Sequence, residues 1–176
     1  ISEELPLPKA NEYGRASRAA SWSLLAKLYL NAKVYTGTDR NTDCITYASK
    51  VIAGGYSLEP AYKKLFNADN DKRTNEIIFP IEADGQHTTT WGSTTYLVCG
   101  PIVGSMVASD YGVQTGWGSI RTRKQFVNQF ADITGATDKR ASFYTNGQTL
   151  DILDPSLKTD GYAIIKFTNK TDAGAN

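Results

Sequence analysis

One helical stretch constrains the fold of this chain more than any other part of the sequence. The segment from Gly14 to Tyr35 reads GRASRAASWSLLAKLYLNAKVY, with small and large apolar residues recurring every three to four positions. Its basic residues fall between those positions, and its alanines and leucines favour helix intrinsically. The pattern therefore predicts one long amphipathic helix over residues 14–35.

A second helical stretch follows a short turn. It runs from Thr42 to Gly54, and its apolar positions share one face: Ile45, Ala48, Val51 and Ile52. Thr42 is placed to cap the first turn, and Gly54 and Gly55 are placed to end the helix, since glycine readily adopts the left-handed conformation found after helix ends. Together the two stretches predict a tetratricopeptide-like helical hairpin.

Small residues in both stretches would let these helices approach closely: Ala20, Ala26 and Ala48. A single hairpin of this kind does not bury its apolar face by itself, because such repeats are stabilised by their neighbours. We therefore expect that face to be covered by the rest of the chain or by a further part of a larger protein.

The remaining sequence is rich in loops, with short regular segments between them. It predicts a short helix over Ala61 to Asn67, an edge strand over Glu76 to Ile81, a short helix over Arg123 to Ala131 and a strand over Tyr162 to Phe167. The expected fold is mainly α with irregular loops and a few short strands, the hairpin packing against a loop-rich ligand-binding region. We divide it into an extended N-terminal segment (1–13), the hairpin with its short helix (14–67) and the loop-rich region (68–176), all within one larger domain.

Charge and cysteine content exclude several classes of protein. Nineteen basic and eighteen acidic residues give a net charge of +1, so the chain has no electrostatic signature of nucleic-acid binding. Cys44 and Cys99 show no metal-ligand spacing, and we expect both to be buried free thiols. No apolar run approaches the roughly 20 residues that span a bilayer.

Two tryptophans lie in polar, glycine-containing loops. Trp91 lies in QHTTTWGSTTY and Trp117 in YGVQTGWGSIRTR. Sugars stack their C–H faces on aromatic rings and hydrogen-bond through their hydroxyls, so an indole among small polar residues suits a glycan site. Either tryptophan could instead cover the edge of a core, as tryptophans often do. Trp22 has helical spacing and is predicted to be core, and we interpret Tyr96 and Tyr111 as packing residues.

A short acidic loop is a candidate calcium site. Asp69 and Asp71 flank Asn70, and such a group can supply the hard oxygen ligands that calcium requires. The EF-hand pattern fails, because the sixth position is Thr74 rather than glycine and the twelfth is Pro80 rather than glutamate. The alternative is a solvated turn with local hydrogen bonds.

Catalytic motifs are missing from the sequence. The single histidine, His87, has no neighbouring serine or cysteine in a nucleophile motif, and there is no phosphate-binding glycine loop. Glycoside hydrolysis would need a carboxylate pair facing a cleft, and no acidic residues are marked out for that role. We therefore predict that the chain is not an enzyme.

A series of motifs, in order along the chain, resembles the SusD/RagB family of surface lipoproteins. These motifs are GRAxxAAxWxLLAKLYLNAxVYTG, YASKVI, GGYSL, YxxLFNADND, NEIIFPI, STxYLVCG, GW and, before the end, GYxIIKF. They extend from Gly14 to about Asn169, and several point to the starch-binding branch of the family. The resemblance covers only a central portion of a family member, so both ends of this sequence are expected to be cuts within a longer protein.

The resemblance implies a function in nutrient capture. Family members bind glycans at the bacterial surface and deliver them to a SusC-like TonB-dependent outer-membrane transporter. In the starch-binding members an aromatic arc holds the sugar, and its positions match Trp91 and Trp117; the matching ADND motif supports calcium at Asp69 and Asp71. The resemblance thus implies non-catalytic binding of starch or another α-glucan. One alternative is a helical-hairpin protein-interaction scaffold of the same uptake complex, with a different nutrient as the ligand. The other alternative is a glycoside hydrolase.

Overall fold

The computed structural model describes residues 2–83, 86–88 and 93–175. In this part of the chain helices and irregular loops predominate. The helices are α1 (Arg18–Leu30), α2 (Ala32–Thr36), α3 (Asn41–Ile52), α4 (Ser93–Cys99) and α5 (Lys124–Val127). Short 3-10 turns cover Ser2–Glu4, Tyr62–Phe66, Asn70–Lys72 and Ala108–Tyr111, and the strands are β1 (Phe143–Tyr144) and β2 (Ala163–Ile164). The predicted class, mainly α with irregular loops and a few short strands, is confirmed.

The chain forms two compact units. The first consists of Ile1–Glu59 and Asp71–Ala83, and the second consists of Pro60–Asn70 and Asp84–Asn176. The first unit therefore holds α1 to α3, and the second holds α4, α5 and both strands. The three-part division made from the sequence stays a prediction.

Helices α1 and α3 pack against each other in the first unit. Trp22 of α1 is buried, with 9% of its surface exposed. The ammonium of Lys50 in α3 lies 5.5 Å from the centre of its ring. The rings of Tyr29 in α1 and Tyr47 in α3 stack with their centres 5.6 Å apart. The predicted helical hairpin and the core position of Trp22 are confirmed, whereas its likeness to a tetratricopeptide repeat stays a prediction.

The first helical stretch is shorter than predicted and is interrupted. Gly14 has a φ of +88°, and the backbone N–H of Arg15 donates to the Glu12 carbonyl, so a turn precedes α1. At the other end Asn31 separates α1 from α2, and its side-chain amide donates to the Lys27 carbonyl at 2.9 Å. The prediction of a continuous helix over residues 14–35 was therefore wrong, because local hydrogen bonds favour turns before α1 and at Asn31.

The start of α3 also differs from the prediction. The helix begins at Asn41, and the Asp39 carboxylate accepts the Asn41 backbone N–H at 2.9 Å. Thr42 lies inside the first turn, so assigning it as the cap was wrong. The predicted end is confirmed: α3 stops at Ile52, and Gly55 has a φ of +79° in the turn that follows.

The predicted edge strand over Glu76–Ile81 is absent, and this segment is irregular. The backbone N–H groups of Glu76 and Ile77 both donate to the Arg73 carbonyl, which forms a turn instead of an extended ladder. Pro80 lacks an N–H, and Ile81 is 93% exposed. The strand was predicted from apolar composition alone. The backbone N–H groups at the start of this segment donate within a local turn, so they do not pair with a neighbouring strand.

The second unit has a small core under a two-stranded sheet. Strands β1 and β2 pair antiparallel, with Phe143 opposite Ile164 and Tyr144 opposite Ala163. The buried core residues are Ile102, Val103, Met106 and Ala163. Both predicted elements near this core are shorter than expected, since α5 covers only part of 123–131 and β2 only part of 162–167. The predicted helix over 61–67 is a 3-10 turn at Tyr62–Phe66.

Both cysteines are free thiols, as predicted. Cys99 is buried, and burial raises the pKa of its thiol, but Cys44 is only half-buried, so the prediction that both are buried was wrong for Cys44. Within the described residues, none of the helices has the length and apolar character that crossing a bilayer requires.

Candidate functional site

The loop that carries Trp117 is fixed to the end of α4 by backbone hydrogen bonds. The Trp117 N–H donates to the Cys99 carbonyl at 2.9 Å, and the Gly118 N–H donates to the Ile102 carbonyl at 3.1 Å. Ser119 donates in the same way to the Gly100 carbonyl at 2.8 Å. The loop has no regular secondary structure, yet the backbone N–H groups of these three residues are satisfied, so the backbone at Trp117 is held in place.

Close packing explains the glycines beside this tryptophan. A Cβ atom at Gly116 would lie 2.4 Å from Cγ2 of the buried Ile102, and one at Gly100 would lie 2.8 Å from Cδ1 of Ile120. Gly118 has a φ of +62°, a conformation that side chains other than glycine rarely adopt. These glycines let the loop approach the core closely enough to form its hydrogen bonds.

Trp117 forms an aromatic pair with Tyr96 of α4. The two ring centres are 6.0 Å apart and the planes are tilted by 41°, which is within the usual range for interacting aromatic rings. Trp117 is half-buried and Tyr96 is 41% exposed. The pair therefore presents aromatic surface to solvent on a fixed support.

Sequence reasoning treated Tyr96 only as a packing residue. It does pack, against Trp117, but it also keeps a large exposed area. The signal was obscured because Tyr96 stands at the start of the apolar run YLVC, whose last two members, Val98 and Cys99, are buried. Only the turn at Gly100 and the returning loop bring Trp117 to this tyrosine.

Small polar side chains share the loop of Trp117. Gln114, Thr115 and Ser119 are exposed on the same loop and offer hydroxyl and amide groups. Arg121, which follows them in sequence, is occupied elsewhere: its guanidinium donates to the carbonyls of Pro155, Leu157 and Asp160. The exposed polar side chains of this loop are thus uncharged.

The loop that Arg121 contacts is held by a buried carboxylate. Asp160 is 8% exposed and accepts the backbone N–H groups of Asp154 and Leu153, each at 3.0 Å. These two hydrogen bonds lower the pKa of Asp160, because they stabilise its ionised form. Arg121 and Asp160 together anchor the segment that runs past the tryptophan loop.

An open cleft of about 520 Å³ is lined in part by Ser119, two residues after Trp117 in sequence. Its walls include Arg123, Gln125 and Lys124, and Lys124 forms an ion pair with Asp151. The cleft therefore carries groups that can donate hydrogen bonds on the segment that follows the Trp117 loop.

The other predicted carbohydrate residue, Trp91, lies outside the described residues. The structure brings Trp117 together with Tyr96. Carbohydrate binding by Trp91 and Trp117 stays a prediction. Tyr111, the second tyrosine that the sequence marked as a packing residue, is half-buried and packs against the core of the second unit.

The acidic loop is held by protein groups. Asp69 accepts the backbone N–H of Asp172 at 2.9 Å, and its own N–H donates to the side-chain oxygen of Asn67 at 3.1 Å. Asp71 lies in the 3-10 turn Asn70–Lys72. Among the described residues, no group of three or more histidine, cysteine, aspartate or glutamate side chains is placed to hold a metal ion. Calcium binding at Asp69 and Asp71 stays a prediction.

Comparison with known proteins supports the resemblance read from the motifs. No family model matches the chain. The chain is 44% identical over 133 residues to the starch-binding protein SusD of Bacteroides thetaiotaomicron, an alignment that covers 74% of this chain and 24% of that protein. The chain therefore spans about a quarter of the length of the curated relative it matches. The predicted resemblance is confirmed, and over most of its length this chain is a SusD-like sequence.

Proposed function

We propose that this chain forms part of a non-catalytic binding site for starch or another α-glucan, with Trp117 and Tyr96 as its stacking surface. The observation that carries the proposal is the tilted, partly exposed pair of rings on a loop fixed by backbone hydrogen bonds. The match to a protein named for starch binding supports the choice of ligand.

The physical chemistry of sugars suits this surface. A glucose unit has a weakly polar C–H face that buries apolar area against an aromatic ring, and its hydroxyls need partners at the ring edge. Gln114, Thr115 and Ser119 offer such partners without a net charge, as a neutral glucan requires. Two rings set at an angle follow the curvature of an α-glucan better than one flat plane does.

The wider role follows from the resemblance and is part of the same proposal. The protein would hold the oligosaccharide at the outer face of the bacterial outer membrane as a lipoprotein and deliver it to a SusC-like TonB-dependent transporter. No chemical step on the glycan is needed for this role, so the proposed activity is binding alone.

Isothermal titration calorimetry with maltoheptaose tests the proposal. We expect saturable binding to the wild type and an affinity weaker by roughly tenfold or more in Trp117→Ala, since a buried stacking residue commonly contributes more than 1 kcal/mol. Tyr96→Ala should cause a smaller loss. Tyr35→Ala is the matched control, because Tyr35 is 72% exposed in the first unit. Equal binding by wild type and Trp117→Ala would contradict the proposal.

A scaffold function is the second candidate, and one observation favours it. The helical hairpin leaves large apolar side chains exposed: Leu24 at 58%, Ile45 at 66%, Val34 at 81% and Ile52 at 80%. Exposed apolar surface of this extent is typical of sites that contact another protein surface. The titration separates the candidates, since a pure scaffold would not bind any glucan.

A further inference from the structure

The second unit contains an open cleft that shares no lining residue with the proposed glucan site. Four lysines line it, Lys63, Lys64, Lys166 and Lys170, together with one acidic residue, Asp172, and we call it the lysine cleft. Its volume is about 270 Å³, just below the range typical of small-molecule pockets, so it suits a small ligand group. The charged groups in its wall leave a formal charge of +3.

Backbone hydrogen bonds hold the two segments that carry these lysines side by side. The Thr168 N–H donates to the Phe66 carbonyl at 3.0 Å, and the Ala68 N–H donates to the Lys170 carbonyl at 2.9 Å. The first two lysines come from one of these segments and the last two from the other. The cations are thus brought to one cleft by a fixed backbone, although they lie far apart in sequence.

The one acidic residue of the lysine cleft is committed to protein groups. The Asp172 carboxylate forms an ion pair with Lys64 at 3.5 Å and accepts the side-chain amide of Asn67 at 2.7 Å. The Asp69 carboxylate adjoins this group, since it accepts the Asp172 backbone N–H at 2.9 Å. Even when Asp69 is counted, the four cations exceed the two anions.

The other three lysines have no anionic partner in the described part of the chain: Lys63, Lys166 and Lys170. The Lys166 ammonium lies 4.1 Å from the centre of the Phe66 ring and 5.5 Å from that of Phe167. These rings attract the ammonium but carry no net charge, so its positive charge stays uncompensated. Like charges in one cleft repel each other, and a bound anion would relieve that repulsion.

The chemistry of lysine favours one kind of anion. A lysine ammonium is a compact point charge rather than a planar fork, so several lysines suit a tetrahedral anion better than a flat carboxylate. A phosphate monoester carries a charge of about −1.5 to −2 at pH 7 and has three acceptor oxygens. Thr168 and Thr171 also line the cleft and can donate hydrogen bonds from their hydroxyls.

We propose that the lysine cleft binds the phosphate group of a phosphate monoester. Lys63, Lys166 and Lys170 supply the attraction, while Lys64 stays paired with Asp172. A soluble sugar phosphate and a lipid headgroup both present this group.

Isothermal titration calorimetry with inorganic phosphate, at constant ionic strength, tests the site in the full chain. We expect saturable binding to the wild type and a dissociation constant raised roughly tenfold or more in the double variant Lys63→Gln, Lys170→Gln, which removes two uncompensated cations. The double variant Lys27→Gln, Lys33→Gln is the matched control, because it removes the same charge from exposed positions of the first unit. The control should bind phosphate as the wild type does.

Two results would overturn the proposal. One is equal phosphate binding by the cleft variant and the control variant, which would show that the lysine cleft does not hold the anion. The other is binding of acetate as tight as that of phosphate, which would show a general attraction between charges. Neither titration involves Trp117, so the glucan proposal stands or fails separately.

Two further measurements distinguish the sources of the phosphate group. Saturable binding of glucose 6-phosphate, lost in the double variant of Lys63 and Lys170, would identify a soluble phosphate ester. Co-sedimentation with phosphatidylcholine vesicles only when they contain phosphatidic acid, lost in the same variant, would identify a lipid headgroup. Binding of neither probe would contradict the assignment to a phosphate monoester.

Discussion

The helical hairpin and the Trp117 loop achieve order in different ways. In the hairpin, α1 and α3 are regular helices that pack against each other, and the buried Trp22 of α1 lies beside Lys50 of α3. In the loop, no periodicity exists, and order comes from backbone bonds of Trp117, Gly118 and Ser119 to the end of α4. The comparison shows that an irregular segment can position an aromatic ring when its backbone donors have fixed partners.

The same comparison separates stability from binding. Trp22 is 9% exposed among helix side chains, whereas Trp117 is half-buried and faces Tyr96, which is 41% exposed. The two tryptophans have the same side chain in opposite settings. We therefore expect one to carry stability and the other to carry ligand contact.

The largest effect on stability is expected from Trp22→Ala. Removal of a buried aromatic side chain leaves a cavity and should lower the free energy of unfolding by about 3–5 kcal/mol. Chemical denaturation followed by circular dichroism measures this loss. A loss below about 1 kcal/mol would show that the hairpin does not depend on its tryptophan.

Gly116→Ala should come next, because the new Cβ atom would collide with Ile102. We expect a loss of about 2–3 kcal/mol from overpacking together with weaker glucan binding. Gly37→Ala is the matched control: its Cβ atom would meet nothing within 4 Å, so only its positive φ of 76° costs free energy, about 1–2 kcal/mol. The control should leave binding unchanged. Equal glucan binding by Gly116→Ala and Gly37→Ala would show that binding does not depend on the position of the Trp117 loop.

Trp117→Ala should change stability little. We expect a loss of about 1 kcal/mol or less in the same denaturation experiment, because Trp117 lies in an irregular loop and is only half-buried. A loss comparable with that of Trp22→Ala would identify Trp117 as a core residue, and the comparison between the two tryptophans would fail. We expect the same of Trp91→Ala, from its sequence alone.

The smallest effect concerns pH and the loop held by Asp160. Its pKa in the folded protein is lowered, so its contribution to stability is present above the unfolded value of about 3.9 and is lost as the pH falls through the folded pKa. Asp160→Asn should lower Tm slightly at pH 7, and the difference should shrink below about pH 4. The exposed Asp110→Asn is the control. A constant difference across this range would contradict the assignment.

Sequence periodicity predicted the two helices of the hairpin and the buried Trp22, but it did not predict which other side chains are buried, since Leu24 and Ile45 are 58% and 66% exposed. It failed where local hydrogen bonds compete with regular structure, as at Asn31 and Arg73, whose neighbours form turns. The apolar run Glu76–Ile81 satisfied the composition of a strand but has no strand partner among the described residues. Periodicity and composition describe side chains, and they do not show where backbone bonds will go.

For the candidate site, the sequence predicted Trp117 but not its partner. The glycines on either side of the indole indicated a loop, but not that a Cβ atom at Gly116 would collide with the buried Ile102. Tyr96 was obscured by the apolar residues that follow it. The pairing depends on the turn after α4, which is a long-range feature that a local pattern does not contain.

Acrylamide quenching of tryptophan fluorescence in Trp91→Phe tests the central claim most directly, because only Trp22 and Trp117 remain as indoles. The account predicts one protected indole and one accessible indole, with maltoheptaose protecting the accessible one in a saturable way. Quenching that maltoheptaose leaves unchanged would contradict the claim that Trp117 is the stacking surface.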